Sequence, residues 1–163
     1  MNASENQLAR VRALIAEESA GSEGAPGAAG GLRRLCRALV RALPASGAGV
    51  SVMTDHDTQG LAAASDGTSS LIEELQFTLG EGPCLDAHAS RRPVLASDLS
   101  GEPATRWPAY SAAAQEQGVR AVFAFPLQIG AARLGVLDVY RHEPGALTRP
   151  ELAQALTLPR SHC

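Results

Sequence analysis

A long apolar hairpin towards the C-terminal end of this chain constrains its fold more than any other feature. Residues 119–129 read as one strand and residues 133–140 as the returning strand. Phe123 and its neighbours Val122 and Ala124 are all apolar, so the strand is apolar on both faces. A strand of this kind belongs to a sheet that is covered on both sides. We therefore expect an α/β (α+β) fold, with a central sheet and helices on both of its faces.

The other predicted elements supply the covering helices and the rest of the sheet. Helical periodicity and prolines predict helices over residues 32–43, 71–77, 83–89, 108–117 and 151–158. Alternation and turn residues predict further strands over residues 48–53, 61–65 and 94–96. Ser70 lies three residues before Glu73, which predicts a capping box at the start of the second of these helices.

Composition divides the chain into one domain with short extensions. Apolar residues at helical spacing predict an N-terminal helix within residues 1–20. Residues 21–31 are rich in glycine and alanine, which is typical of a flexible linker. The domain itself would span residues 32–158, and residues 159–163 would form a tail.

The charge balance and the cysteines argue against several classes of protein. The net charge is −3 and all 14 basic residues are arginine, which does not favour direct nucleic-acid binding. No run of 18 apolar residues and no secretory signal pattern is present, so we expect no membrane association. The 3 cysteines are widely spaced and form neither a disulfide framework nor a zinc pattern. We expect a cytoplasmic protein.

Several short motifs occur together in a specific order. They are Gly80-Glu-Gly-Pro-Cys-Leu-Asp86, Arg92-Pro-Val, Arg106-Trp-Pro, and the strand from Gly118 to Leu127 that leads into Leu134-Gly-Val-Leu-Asp-Val-Tyr140. In this order the motifs resemble a GAF domain, and most nearly the GAF domain of actinobacterial GAF–ANTAR transcription antitermination regulators. The resemblance covers residues 32–156.

The resemblance implies a central antiparallel sheet of five to six strands, a ligand cavity on one face and homodimerisation through terminal helices. In GAF–ANTAR proteins a C-terminal three-helix module binds RNA and relieves transcription termination. The residues after Glu143 are too few for three helices, so we expect no ANTAR domain in this chain. The output would then come from a partner.

Cys84 is the residue most suited to chemistry. It follows Gly82 and Pro83 in the first turn of a predicted helix, where unpaired N–H groups favour a thiolate. His88 lies four residues on, and such a pair serves either as nucleophile and base or as two metal ligands. The favoured interpretation is a small buried apolar residue. GAF relatives that reduce free methionine sulfoxide use several cysteines, whereas Cys84 is alone between residues 48 and 143. We therefore predict no catalytic residue and no enzyme.

The turn Asp55-His56-Asp57 consists of metal-competent side chains. Consecutive turn residues rarely converge on one ion, so a hydrated turn is the favoured interpretation. Haem binding through His56 or His88 is a weaker alternative. We predict no metal site and assign no cofactor.

Seven residues form the predicted ligand-binding set. By the resemblance, aromatic residues would line the cavity, and an adjacent arginine would suit a planar or anionic ligand. Ordinary core packing is the favoured alternative for the aromatics. The full set is Phe77, Cys84, Asp86, Trp107, Tyr110, Phe123 and Phe125.

Asp138 interrupts an otherwise apolar strand, and a buried carboxylate must be paired or hydrogen-bonded. We expect an ion pair with Arg120 on the preceding strand, with a ligand contact as the alternative. Arginines also line one side of the first predicted helix of the domain, and we interpret them as a solvated face. They are Arg33, Arg34, Arg37 and Arg41.

Taken together, these observations predict a small-molecule-sensing GAF domain of a signalling or transcription regulator that lacks its own output domain. One alternative is a protein interaction or dimerisation module without a ligand. A second alternative is a redox enzyme or redox sensor based on Cys84.

Overall fold

Five described strands form one antiparallel sheet. They are β1 (Gly47–Met53), β2 (Thr58–Ala64), β3 (Val94–Ala96), β4 (Ala121–Ile129) and β5 (Ala132–Arg141), and their order in the sheet is β2-β1-β5-β4-β3. The computed structural model describes residues 28–43, 45–53, 58–129 and 132–157. Strands β1 and β2 form one hairpin, and β4 and β5 are the two strands of the long apolar hairpin. Strand β5 also pairs with β1, which joins the two hairpins into one sheet.

Six helices are described, and prolines or caps mark several of their ends. They are α1 (Ala28–Ala42), α2 (Gly67–Leu79), α3 (Pro83–Ser90), α4 (Glu102–Arg106), α5 (Pro108–Glu116) and α6 (Arg149–Thr157). Pro83 begins α3 and Pro108 begins α5, positions where the missing N–H costs nothing. None of the described helices has the length and apolar content that a bilayer span requires.

The predicted capping box at Ser70 is wrong. Asp66 is the N-cap of α2, and its carboxylate accepts a hydrogen bond of 2.8 Å from the backbone N–H of Ser69. The helix therefore begins one turn earlier than expected, because an aspartate is at least as good a cap as a serine. Glu73 is fully buried and does not reach back to the helix start. This difference matters, since it makes Glu73 available to the core.

The two faces of the sheet have different coverings. Alternation along β4 directs Phe123 and Phe125 to the first face, where they pack with Cys36 and Leu39 of α1 and with Ala155 of α6. The second face is covered by α2 to α5, and its core includes Ile72, Trp107, Tyr110 and Val122. The expected α+β fold, an antiparallel sheet with helices on both faces, is confirmed.

The boundaries at the N-terminal end differ from the expectation. Helix α1 begins at Ala28, inside the segment predicted as a linker up to residue 31. The cost of two helical glycines is about 1 kcal/mol each, and packing of the apolar face of α1 on the sheet offsets it. The predicted N-terminal helix and the C-terminal tail lie outside the described residues.

Candidate functional site

Small residues on β1 allow α2 to lie close to the second face of the sheet. Gly47, Gly49 and Ser51 alternate on this face, and a Cβ added at Gly49 would lie 2.5 Å from Glu73 Oε1. Such a contact is too short for real atoms. The glycine therefore makes room for the Glu73 side chain between the helix and the sheet.

This space holds a group of polar side chains that we call the acid cluster. Its members come from strands β1 and β5 and from helices α2 and α3, and none is more than 2% exposed. The acid cluster consists of Ser51, Glu73, Gln76, Cys84, Asp138 and Tyr140. Polar groups in a core must be hydrogen-bonded, so their partners decide what the cluster can do.

Glu73 is held by hydroxyl groups from two strands. Ser51 Oγ donates to Glu73 Oε2 at 2.6 Å, and the Tyr140 hydroxyl donates to Glu73 Oε1 at 2.6 Å. Burial raises the pKa of Glu73, while the hydrogen bonds from Asp138, Ser51 and Tyr140 lower it. Glu73 is therefore the better-stabilised anion of the two carboxyl groups in the cluster.

Asp138 has a weaker set of partners. Gln76 Nε2 donates to Asp138 Oδ2 at 3.3 Å, and Asp138 Oδ1 has no hydrogen-bond partner among the described residues. Burial, followed by the nearby charge of Glu73, raises the pKa of Asp138 well above its ordinary value. The protonated form of Asp138 is therefore favoured beside the Glu73 anion.

The expected ion pair between Asp138 and Arg120 is wrong. Arg120 is exposed, and its Nη1 donates to Gln115 Oε1 at 3.3 Å. The strand register explains the difference, because Asp138 lies opposite Ala124 on one side and Gly49 on the other. These small neighbours leave the Asp138 carboxyl directed towards α2 and α3 without a basic partner in the cluster.

Cys84 lies at the start of α3 but does not have the environment of a reactive thiol. Its backbone N–H donates to Gln76 Oε1 at 2.7 Å, and its side chain is fully buried. Burial, together with the charges of Asp138 and Glu73, raises the pKa of the Cys84 thiol well above its ordinary value. This direction is opposite to the shift expected from a helix N-terminus.

Gln76 links the end of α2 to the start of α3. A Cβ added at Gly82 would overlap the Gln76 side chain, and Gly82 has a φ of 144°, which only glycine adopts readily. The glycine therefore lets Gln76 bond to both Cys84 and Asp138. The motif around Gly82 therefore holds Gln76 in its place in the acid cluster.

The predicted ligand-binding residues divide between the two faces. Phe123 and Phe125 lie in the core of the first face, so they share no cavity with Trp107 and Tyr110 of the second face. Phe77 is half-buried and packs against a small apolar cluster that includes Cys84 and Ala87. The assignment of these residues to a ligand remains a prediction.

Asp86 and Trp107 form a separate contact closer to the surface. Trp107 Nε1 donates to Asp86 Oδ2 at 3.1 Å, and Arg106 Nη2 lies 2.9 Å from the same oxygen. The Arg106 guanidinium also lies 5.0 Å from the centre of the Trp107 ring. Tyr110 is fully buried, and its hydroxyl has no hydrogen-bond partner in the part of the chain that the structure describes.

Sequence reasoning missed four members of the acid cluster: Ser51, Glu73, Gln76 and Tyr140. A signal was available, since Glu73 and Gln76 are one helical turn apart and therefore share a face. The turn Asp55-His56-Asp57 lies outside the described residues.

A shallow cleft adjoins the acid cluster. Its volume is about 110 Å³, which suits an ion or a few water molecules better than a drug-sized ligand. Tyr140 lines the cleft and also donates to Glu73, so the cleft lies one side chain away from the cluster. The polar lining includes Ser46, Asp66, Ser69 and His142.

The chain belongs to the GAF domain family, because the family model matches residues 31–158. No curated protein is a significant sequence match. Solved structures with the same fold include the GAF domain of a phosphoenolpyruvate-protein phosphotransferase from Coxiella burnetii, at 23% identity and a TM-score of 0.67. That match covers 96% of this chain and 89% of the other.

Other structures with this fold have different functions. Free methionine-R-sulfoxide reductase from Neisseria meningitidis matches with a TM-score of 0.62 at 16% identity, covering 96% of this chain and 83% of that one. The phycoerythrobilin-bound GAF domain of a cyanobacterial phytochrome matches with a TM-score of 0.58 at 11% identity, covering 98% and 91%. At these identities the similarity is one of fold, so function must be argued from the site.

Proposed function

We propose that this chain is a small-molecule-sensing GAF domain of a signalling or transcription regulator, and that the acid cluster is where its ligand binds. The observation that carries the proposal is the burial of Glu73 and Asp138 together, each fully inside the core and without a basic partner in the cluster. Two carboxyl groups in a core cost several kcal/mol of stability if nothing compensates them. Perturbed carboxyl groups of this kind are concentrated at functional sites.

The acid cluster also has the position that a sensor requires. Its residues come from β1, β5, α2 and α3, so occupancy alters how α2 and α3 pack on the sheet. The strands that carry Ser51 and Asp138 contact α1 on their other face through Val50 and Leu137. A change at the cluster therefore has a short physical route to a terminal helix.

A Cys84-based redox enzyme is disfavoured by the same geometry. The thiol is fully buried and its pKa is raised, whereas a nucleophilic cysteine is exposed and has a lowered pKa. The sulfoxide reductase from Neisseria meningitidis shares the fold, but its activity is a property of that protein.

The interaction module is the second candidate, and one surface feature favours it. Leu71 and Leu79 of α2 are 42% and 40% exposed, and Leu75 lies half-buried between them on the same side of the helix. An apolar row of this kind suits contact with another protein. Such a contact is also compatible with a sensor that signals to a partner.

The output of the sensor would follow the GAF–ANTAR pattern. We propose that occupancy is passed to a partner in transcription antitermination, in the cytoplasm, by a homodimer that pairs through its terminal helices. In support, α1 and α6 lie on the same face of the sheet, and α1 exposes Arg33 and Arg41. The chain itself would not bind nucleic acid.

Native mass spectrometry with an absorption spectrum tests the sensor proposal. Protein purified without a chelator should retain a mass above that of the bare chain, and the Asp138→Asn variant should lose it. The matched control is Glu74→Gln, which removes an exposed carboxylate of α2 outside the acid cluster and should keep the mass. A bare mass for the wild type, together with no change in melting temperature across a library of metals and metabolites, would refute the proposal.

A further inference from the structure

Three side chains with metal-binding atoms converge inside the acid cluster. A carboxylate oxygen of Glu73, a carboxylate oxygen of Asp138 and Cys84 Sγ all lie within 4.8 Å of one another. We propose that Glu73, Cys84 and Asp138 together bind one divalent transition-metal ion. The inference rests on the proposed sensor function and names the class of ligand for it.

The separation of the three atoms is close to that of a metal site. Metal–oxygen and metal–sulfur distances of about 2.0–2.3 Å place neighbouring ligand atoms roughly 3.3–3.8 Å apart in a tetrahedral site. The side chains therefore need to approach one another by no more than about 1.5 Å, which small side-chain rotations provide. The three residues come from α2, α3 and β5, elements that the core already holds together.

Two fully buried polar atoms of the second face lack hydrogen-bond partners among the described residues, and one of them belongs to a proposed ligand. Asp138 Oδ1 and the Tyr110 hydroxyl lack a hydrogen bond among the described residues, although both side chains are fully buried. Nearly all buried polar atoms in proteins are paired. Burial, followed by the charges of Asp138, Glu73 and Cys84, raises the pKa of Tyr110 well above its ordinary value. A bound ion gives Asp138 Oδ1 the partner that it lacks.

The carboxyl ligands are oriented by further hydrogen bonds, as metal ligands generally are. Ser51 and Tyr140 each donate to Glu73, and Gln76 donates to Asp138. Since these donors fix the carboxyl groups from outside, each group keeps lone pairs for an ion. Ser51 is therefore a positioning residue for the site.

The charges also favour a divalent ion. In the metal-free cluster Glu73 is the anion, whereas Asp138 and the Cys84 thiol hold protons. Binding of one M²⁺ ion to all three ligands releases these two protons and leaves the net charge at −1, which the metal-free cluster already carries. A thiolate ligand selects Zn²⁺, Fe²⁺ or Co²⁺ over Mg²⁺ and Ca²⁺, which prefer oxygen ligands alone.

Cobalt titration of the full chain tests the proposal. The protein is first dialysed against a chelator, and Co²⁺ is then added while metal content and absorption are recorded. We expect one cobalt per chain and a thiolate-to-cobalt charge-transfer band. Cys84→Ala should abolish the band, whereas Cys36→Ala, which removes a buried thiol on the first face, should keep it. Ser51→Ala should weaken binding by about 10–100-fold.

A second variant keeps the test decisive if Cys84→Ala does not fold. Glu73→Gln preserves the shape of the side chain and should also abolish one-to-one binding. Absence of a cobalt band in folded wild type, or the same band in Cys84→Ala or Glu73→Gln, would overturn the metal site. An organic molecule retained at the acid cluster without metal would overturn it as well, while leaving the sensor proposal in place. Wild-type protein that binds neither a metal ion nor an organic molecule would overturn both the metal site and the sensor proposal.

Discussion

The buried Asp138 carboxyl should make the metal-free protein less stable as the pH rises. The ordinary pKa of this group is 3.8, and burial followed by the charge of Glu73 raises it well above that value in the folded protein. Between the two values the folded chain holds a proton that the unfolded chain releases. The associated stability is fully present below about pH 3.8, and it is lost as the pH rises through the folded pKa. The raised pKa of Glu73 acts in the same direction.

The size of the effect follows from one proton. Each pH unit within the window lowers the free energy of unfolding by about 1.4 kcal/mol for each proton that only the folded state binds. Asp138→Asn removes the titrating group and keeps an oxygen that accepts from Gln76. The free energy of unfolding of the variant should therefore fall less steeply with pH, by up to about 1.4 kcal/mol per pH unit.

Urea unfolding between about pH 5 and pH 8, with a chelator present, measures both slopes. Asp86→Asn is the matched control, since Asp86 is partly exposed and pairs with Arg106 outside the acid cluster. Its slope should follow the wild type. Parallel curves for the wild type and Asp138→Asn would refute the claim that folded Asp138 holds a proton.

Three further predictions concern packing and reactivity. Gly49→Ala should lower the free energy of unfolding by about 1–3 kcal/mol, because the new methyl group meets Glu73; a change near zero would contradict the close packing. Leu39→Ala should cost about 2–5 kcal/mol in the same urea assay, because Leu39 is fully buried; a cost under about 1 kcal/mol would place α1 off the sheet. Cys84 should react with iodoacetamide only after unfolding, and rapid labelling of the folded protein would contradict its burial.

Local patterns in the sequence predict much of the fold. Strand β3 was expected at residues 94–96 and is found there, and α3 begins at Pro83 as its proline indicates. The long hairpin required a sheet covered on both sides, and helices lie on both faces. These features depend on neighbouring residues, whose periodicity is visible in a single sequence.

The candidate site depends on contacts that no local pattern encodes. Asp138 was singled out as unusual, but its neighbours are decided by strand register, which sets it opposite Ala124 and Gly49. The spacing of Ser70 and Glu73 predicts a capping box, but Asp66 is a competing cap and is the one that the structure uses. Glu73 is buried because its side of α2 packs on β1, where Gly49 leaves room for the carboxyl group.

The predicted aromatic ligand set is divided between the two faces of the sheet, which its members' positions in the motifs do not reveal. The family resemblance groups Phe123 and Phe125 with Trp107, whereas the structure places them on the opposite face of the sheet from Trp107. Residues two apart on a strand share a face, so these two phenylalanines belong together. They pack against α1, and this contact is not visible in the sequence of β4.

A crystal structure of the protein with bound Co²⁺ or Zn²⁺, recorded at the absorption edge of the metal, would locate the ion directly. We expect one anomalous peak per chain, in contact with Glu73, Cys84 and Asp138. Metal-loaded crystals without a peak at the acid cluster, or with the peak only elsewhere on the chain, would contradict it.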